Sequence, residues 1–320
     1  DVYKRQVYKR SRSGDQDLLA FLILTLYTVH KGVAMPQPNY YLAMPVHVAS
    51  GVVFASPHSG RDYAESFLQK TILDAKVIRS SEDAFVDQLF ACAPDHGCPF
   101  LHASAPRAFV DLNRNQTELD AAVIGDVTKS AYTPRVLSGL GVIPRVVSNG
   151  RAIYSGKLTM AEATHRLDTY WRPYHTRLES LLCAARTKFG ESVLIDCHSM
   201  PREALEGTFR AGQKRPEIVL GDRFGASASH QIVNRIQDIL TGAGFAVSRN
   251  MPFAGAYITQ RYGCPSQNQH AVQIEIDRAL YMDEATLMPH EGFAHLSDRL
   301  RLVVAQIAEI GCQNAQLAAE

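Results

Sequence analysis

The stretch Val193-Leu194-Ile195-Asp196-Cys197-His198-Ser199-Met200-Pro201 decides the architecture. Its first three residues are apolar. The next four carry acid, thiol, imidazole and hydroxyl groups, and Pro201 closes the run. A short apolar run bounded by a turn signal reads as a buried strand of a parallel sheet. In open α/β sheets, ligands sit just beyond the carboxyl ends of the strands. His198 is therefore expected where such folds place their chemistry. A lone histidine of this kind is more often a buried residue satisfied by one hydrogen bond. A second stretch of the same grammar changes the reading. Val52-Val53-Phe54-Ala55-Ser56-Pro57-His58-Ser59-Gly60 is again an apolar run that ends in His-Ser, broken by Pro and Gly. Two strand-end histidines in one chain point to two ligands of one metal ion.

Outward from these stretches, strand-like and helix-like segments alternate. Strands are expected at 51–56, 99–103, 146–147, 216–220, 245–248 and 272–277. Helices are expected at 67–75, at 82–90 with Ser81 as N-cap, at 159–188 with a break at Pro173, at 229–242, and at 294–308 beyond a cap region at Thr286. The class is α/β, with a mixed, mostly parallel central sheet flanked by helices. No linker or internal repeat divides residues 35–320, which read as a single domain.

The 320 residues carry 33 basic and 32 acidic side chains and are 46% hydrophobic, an ordinary globular balance. Near-zero net charge leaves no electrostatic footprint for nucleic acid or a membrane surface. The six cysteines form no CxxC pair and read as reduced thiols of a cytoplasmic protein. The first 34 residues stand apart. Val2-Tyr3-Lys4-Arg5 recurs as Val7-Tyr8-Lys9-Arg10, and an apolar run at 18–29 is too short to span a membrane. The run fits the core of a signal peptide, but the reading preferred here starts the domain at Met35 and sets residues 1–34 aside as a non-conforming extension.

A catalytic zinc site takes three ligands from histidine and carboxylate and keeps a fourth position open. His58 and His198 supply two. The third is expected from Glu82-Asp83-Ala84-Phe85-Val86-Asp87. Asp83 and Asp87 are one helical turn apart and would share a face. Asp87 is the first choice, Asp83 the second and Glu82 the third. A charged helix start would explain these acids equally well. Glu275 lies between Ile274 and Ile276 on an alternating strand. A carboxylate there is costly unless paired or used, and such surroundings tune it for proton transfer. It is the expected general base, against the plainer reading of a salt bridge to Arg278 or Arg261. Asn113-Arg114 ends another apolar run and suits bidentate recognition of a carboxylate.

Taken together, these segments resemble the N-formylglutamate amidohydrolase family. The likeness rests on residues 56–63, 81–87, 106–114, 118–120, 141–145, Tyr154, 196–201, 220–223, 252–259 and 273–282. That family is similar in turn to zinc carboxypeptidases and acyl-amino-acid deacylases. The resemblance implies a carboxypeptidase-like, phosphorylase/hydrolase-like fold and one divalent metal ion, zinc, on His58 and His198. It also implies hydrolysis of N-formyl-L-glutamate to formate and L-glutamate as the last step of a histidine degradation route. Glu275 would be the base, and Asn113 and Arg114 would grip a carboxylate of this small anionic substrate. Arg61, Arg107, Arg145, Arg223 and Arg261 are further candidates to clamp it or to stabilise the oxyanion. The carboxypeptidase His-x-x-Glu spacing is absent, because Arg61 stands three residues after His58, so the third ligand stays open. A homo-oligomer is left open too.

Three rivals remain at this stage. Another zinc-dependent acyl-amino-acid deacylase or a carboxypeptidase would use the same parts on a different substrate. A cysteine amidase would need Cys197 to work with His198, but adjacent strand residues point to opposite faces. A non-catalytic binding protein would have no use for the retained His, acid, Arg and Glu set. A seryl hydrolase is disfavoured by the lack of a Gly-x-Ser-x-Gly elbow.

Overall fold

A computed structural model describes residues 38–127, 133–206 and 215–312. The extension at 1–34 and the start at Met35 lie outside the described residues. Seven strands form the main sheet: β1 (Tyr40–Ala43), β2 (Val52–Ser56), β3 (Phe100–Ala103), β4 (Ser192–Met200), β5 (Ile218–Gly221), β6 (Val247–Arg249) and β7 (Gln269–Asp277). Their order is β1-β3-β2-β4-β7-β5-β6. The β3–β2, β2–β4, β4–β7 and β5–β6 pairs are parallel. The β1–β3 and β5–β7 pairs are antiparallel. The expected mixed, mostly parallel α/β sheet is the one formed, and the two His-bearing runs are adjacent central strands in it.

Strand alternation sorts the core into two faces. Val193, Ile195 and Cys197 of β4 pack with Val272, Ile274 and Ile276 of β7 and with helices His230–Gly242 and Gly292–Ile310. Leu194 and Ala271 pack on the opposite face against Leu178 and Leu182 of helix Arg172–Phe189. Each such leucine, fully buried, contributes roughly 1.5–3 kcal/mol. Asp196 and His198 share the parity of Leu194; Gln273 and Glu275 share that of Ala271. The polar ends of both strands therefore lie on the long-helix face, beyond its apolar filling.

Several element boundaries depart from the sequence expectation for local reasons. The expected helix at 67–75 reduces to Glu65–Leu68, because Thr71 turns away to bridge Tyr154 and to donate its hydroxyl to the Ile153 carbonyl. The expected helix at 82–90 reduces to Val86–Leu89. Ser81 ends a tight turn at Val77–Ser81 instead of capping a helix, and Phe85 takes a left-handed φ of 66° that breaks continuity from Glu82. Thr286 is no helix cap: its amide donates to Asp283 within a small hairpin, and the last helix opens at Gly292. Residues 146–147 form only an isolated bridge, from Val146 to Ala152. The break at Pro173 takes a definite form. Helix Met160–Arg166 widens at Leu167–Trp171 into a π turn and resumes as Arg172–Phe189, with the proline in the first turn of the new segment. Proline has no N–H to continue the ladder. Among the described residues, no helix is long and apolar enough to cross a membrane.

Candidate active site

His58 lies two residues past the end of β2, and His198 lies near the end of β4. Asp83 reaches both from the segment after Val77–Ser81, which is stitched down by the Asp83 amide donating to the His58 carbonyl at 3.0 Å. All three side chains are buried. Asp83 Oδ2 lies 2.8 Å from His198 Nδ1 and 3.5 Å from His58 Nδ1. One ligand atom from each of the three falls within 4.8 Å of the others. His58 Nδ1 is buried and has no hydrogen-bond partner, an orphan that a metal ion would satisfy. Two imidazoles and one carboxylate are the donor set of a catalytic zinc site, so the residues fit the metal that the sequence implied.

The order of preference among the acids does not survive. Asp87 makes a two-pronged contact with Arg61, at 3.1 and 2.8 Å. The left-handed Phe85 separates it from Asp83, so the two carboxylates do not share a helical face. Glu82 accepts from the Tyr63 hydroxyl and from Arg79. Asp83, the second choice, is the acid brought to the histidines. Burial pushes its carboxyl up, but the hydrogen bond from His198 and the charge of the two rings beside it outweigh this and hold it well below the usual range. Arg278 donates to its other oxygen at 2.9 Å and to the Ser199 hydroxyl at 3.1 Å.

Each histidine meets a further acid on its far side. His58 Nε2 lies 2.7 Å from Asp111 Oδ1. Asp111 is in turn held by Arg107 at 3.0 Å and by the Asn113 amide at 2.8 Å. A carboxylate in that position fixes ring orientation and tautomer. Sequence reasoning gave Asp111 no part in the site; its place two residues before Asn113 was the available signal. Asn113 is pinned by its Oδ1, which accepts from the Ile258 amide at 2.8 Å, and its Nδ2 lies 3.2 Å from His198 Nε2.

Glu275 of β7 is in register with His198 of β4. It is buried and accepts a 2.6 Å hydrogen bond from Gln273 Nε2. Burial pushes its carboxyl up to about 7, against the opposing pull of His198. A carboxyl poised there can take and return a proton near neutral pH. Cys197, between these rows, points into the opposite core face, where burial pushes its thiol well above its ordinary value. That placement removes the cysteine amidase reading.

His58, Asp83, His198 and Glu275 lie in a cleft of about 820 Å³ that Arg107, Arg114, Arg135 and Arg278 also line. Asn113 and Arg114 are there as expected. Arg114 is anchored by donating to the Leu140 and Asn113 carbonyls. Arg61, Arg145, Arg223 and Arg261 are not in this lining. Arg61 is spent on Asp87, Arg145 pairs with Asp120 at 2.9 Å, and Arg261 pairs with Glu179. Arg223 sits in a left-handed turn with φ of 53°. Arg107 is the one member of that group at the cleft, while Arg135 and the Asp83-binding role of Arg278 were not foreseen.

Known proteins carry the same arrangement of sequence. Residues 50–282 match the model of the N-formylglutamate amidohydrolase family. The chain is 28% identical over 261 residues to the N-formylglutamate deformylase of Pseudomonas aeruginosa, covering 81% of this chain and 91% of that one. It is 29% identical over 236 residues to the N-formylglutamate deformylase of Pseudomonas putida, covering 73% and 82%. The crystal structure of N-formylglutamate amidohydrolase from Ralstonia eutropha superposes with a TM-score of 0.81 at 34% identity, covering 87% of this chain and 99% of that one. The matched segment runs from before β2 to beyond β7 and contains His58, Asp83, His198 and Glu275; the chain belongs to the N-formylglutamate amidohydrolase family.

Proposed function

We propose that the chain hydrolyses N-formyl-L-glutamate to formate and L-glutamate, with one divalent ion held by His58, Asp83 and His198. The donor set favours zinc. The observation that carries the reading is the meeting of this triad with buried Glu275 in a cleft lined by four arginines. Similarity to deformylases of the same name supports the substrate. When bound, the ion supplies a Lewis acid that polarises the formyl carbonyl and makes hydroxide available at neutral pH. The chain's own residues do the rest. Ionised Glu275 takes a proton from the attacking water as the water oxygen bonds to the formyl carbon. The carboxyl then hands that proton to the amine nitrogen as the C–N bond breaks. Asp111 keeps the His58 ring oriented, and Arg278 holds Asp83 in place. Arg107, Arg114 and Arg135 give the cleft a positive wall suited to the two substrate carboxylates. In this role the protein works in the cytoplasm at the last step of histidine degradation.

Formate release from N-formyl-glutamate, N-acetyl-glutamate (followed by acetate) and N-formyl-leucine, measured side by side, tests the assignment. The expected result is a kcat/KM for N-formyl-glutamate at least about 100-fold above N-formyl-leucine, which leaves the arginine wall without its side-chain carboxylate, and at least about 10-fold above N-acetyl-glutamate, which adds one methyl group. A preference for the acetyl compound would move the substrate to another acyl-amino acid and leave the metal chemistry standing.

A further inference from the structure

Asp196 is the least accounted-for side chain near the cleft. It is completely buried, at 0% exposure, and neither carboxylate oxygen has an aligned hydrogen-bond donor. A buried carboxylate without a donor is strongly disfavoured. Its nearest ring nitrogen is His198 Nε2, 3.1 Å from Oδ1, close enough for a hydrogen bond but out of line for one. The same nitrogen is approached by Asn113 Nδ2 at 3.2 Å. Asn113 Oδ1 is already committed to the Ile258 amide, so the group it turns to His198 is its NH2, a donor. The other ring nitrogen, Nδ1, lies 2.8 Å from the Asp83 carboxylate, an acceptor. As the ring stands, then, Nδ1 carries a proton directed at Asp83.

With that proton in place the ring cannot ligate a metal through Nδ1, the nitrogen that faces Asp83 and the ligand cluster. A metal on Nδ1 requires the ring proton on Nε2, and an N–H at Nε2 needs an acceptor. Asn113 offers only a donor there. Asp196 offers two unpartnered acceptors. We propose that Asp196 is the positioning residue that accepts Nε2–H of His198 and so holds the ring in its metal-binding tautomer. It is to His198 what Asp111 is to His58, whose Nε2–Asp111 contact of 2.7 Å is already in line. The inference rests on the metal reading given above. It assigns a use to a carboxylate that the hydrolytic steps themselves leave idle.

The test compares Asp196→Leu and Asp196→Asn with wild type in the full-length protein. Zinc affinity is read by chelator competition and the His198 tautomer by 15N NMR of the zinc-loaded and metal-free forms. Asparagine keeps an acceptor; leucine keeps the size and removes it. The expected result is a loss of zinc affinity of about 10–100-fold in Asp196→Leu, with Asp196→Asn within about fivefold of wild type. In wild type loaded with zinc, His198 should carry its one ring proton on Nε2. Zinc binding by Asp196→Leu at wild-type strength would overturn the proposal, as would an equal loss in both variants. The NMR arm needs no variant to fold: zinc found on Nε2 of His198 in wild type overturns the proposal by itself. Wild-type protein that binds no zinc would instead remove the metal reading, and this role with it.

Discussion

Glu275 shows how one side chain is set against stability for chemistry. Its folded value of about 7 lies above the ordinary 4.5, mainly through burial. Between those values the folded chain binds more protons than the unfolded one. Its contribution is therefore fully present below about pH 4.5 and is lost as pH rises through 7. In the metal-free protein, Glu275→Gln should raise stability by on the order of 3 kcal/mol at pH 8 and change little at pH 4, read by urea unfolding. The same variant should bind zinc normally and lose turnover by about 1,000-fold. A Gln variant no more stable than wild type at pH 8 would refute the burial argument. The acids of residues 82–87 give a second contrast. Asp83→Ala should weaken zinc binding at least about 100-fold, whereas Asp87→Ala should stay within about threefold and cost about 1 kcal/mol for the lost Arg61 contact. Reversal of that order in chelator competition would return the ligand to Asp87. His58, His198 and Glu275 were legible in the sequence because each follows or interrupts an apolar run. Asp83 was not separable from Asp87, because the choice depended on the left-handed Phe85, which no periodicity announces.

Elements carry these residues with little freedom. The loop after β2 is the clearest case: a Cβ on Gly60 would collide with the Ala105 carbonyl oxygen. That backbone lies next to the Ser104 carbonyl, which accepts from the Asp62 amide at 2.9 Å. Gly60→Ala must move the loop that ends β2, and His58 with it. The expected outcome is a destabilisation of about 1–3 kcal/mol together with weakened zinc binding, measured by thermal unfolding with and without metal. Unchanged zinc affinity would mean that the loop adjusts without carrying His58. The buried central strands were read closely from sequence, since such a strand leaves a short apolar signature; the half-exposed edge strand β1 was missed, and 146–147 made only a bridge. Short helices were not. Residues 67–75 and 82–90 have helical spacing, yet side-chain and tertiary hydrogen bonds, such as that from Thr71 to Ile153, end them early. The long helix was legible down to Pro173, though sequence alone did not specify the wide turn at Leu167–Trp171.

Across the molecule, the two faces of the sheet do different work. One stays apolar along β4 as far as Cys197; the other stops at Leu194 and Ala271 and gives way to the cleft. A buried histidine ties the cleft loops to the long helix. His175 contacts the Leu112 carbonyl through Nε2 and the Tyr262 hydroxyl through Nδ1, each at 2.9 Å. Burial lowers it from 6.5 to about 3. Here the unfolded chain binds the extra proton, so stability is lost as pH falls below 6.5, by up to about 4 kcal/mol near pH 3. His175→Gln should flatten the stability curve between pH 6.5 and 4; a curve as steep as wild type would place the acid sensitivity elsewhere. The fold class and the parallel pairing of the two histidine strands were legible from the run-then-polar pattern. The partners of the arginines were not. Arg61, Arg145 and Arg261 each meet an acid remote in sequence, a matter of tertiary packing alone.

The most direct measurement is formate release from N-formyl-glutamate by metal-stripped protein, before and after zinc is added stepwise. The account predicts no turnover without metal and full turnover at one equivalent, with Asp83→Ala silent under both conditions. Full turnover by the stripped protein, or by Asp83→Ala at one equivalent, would contradict it.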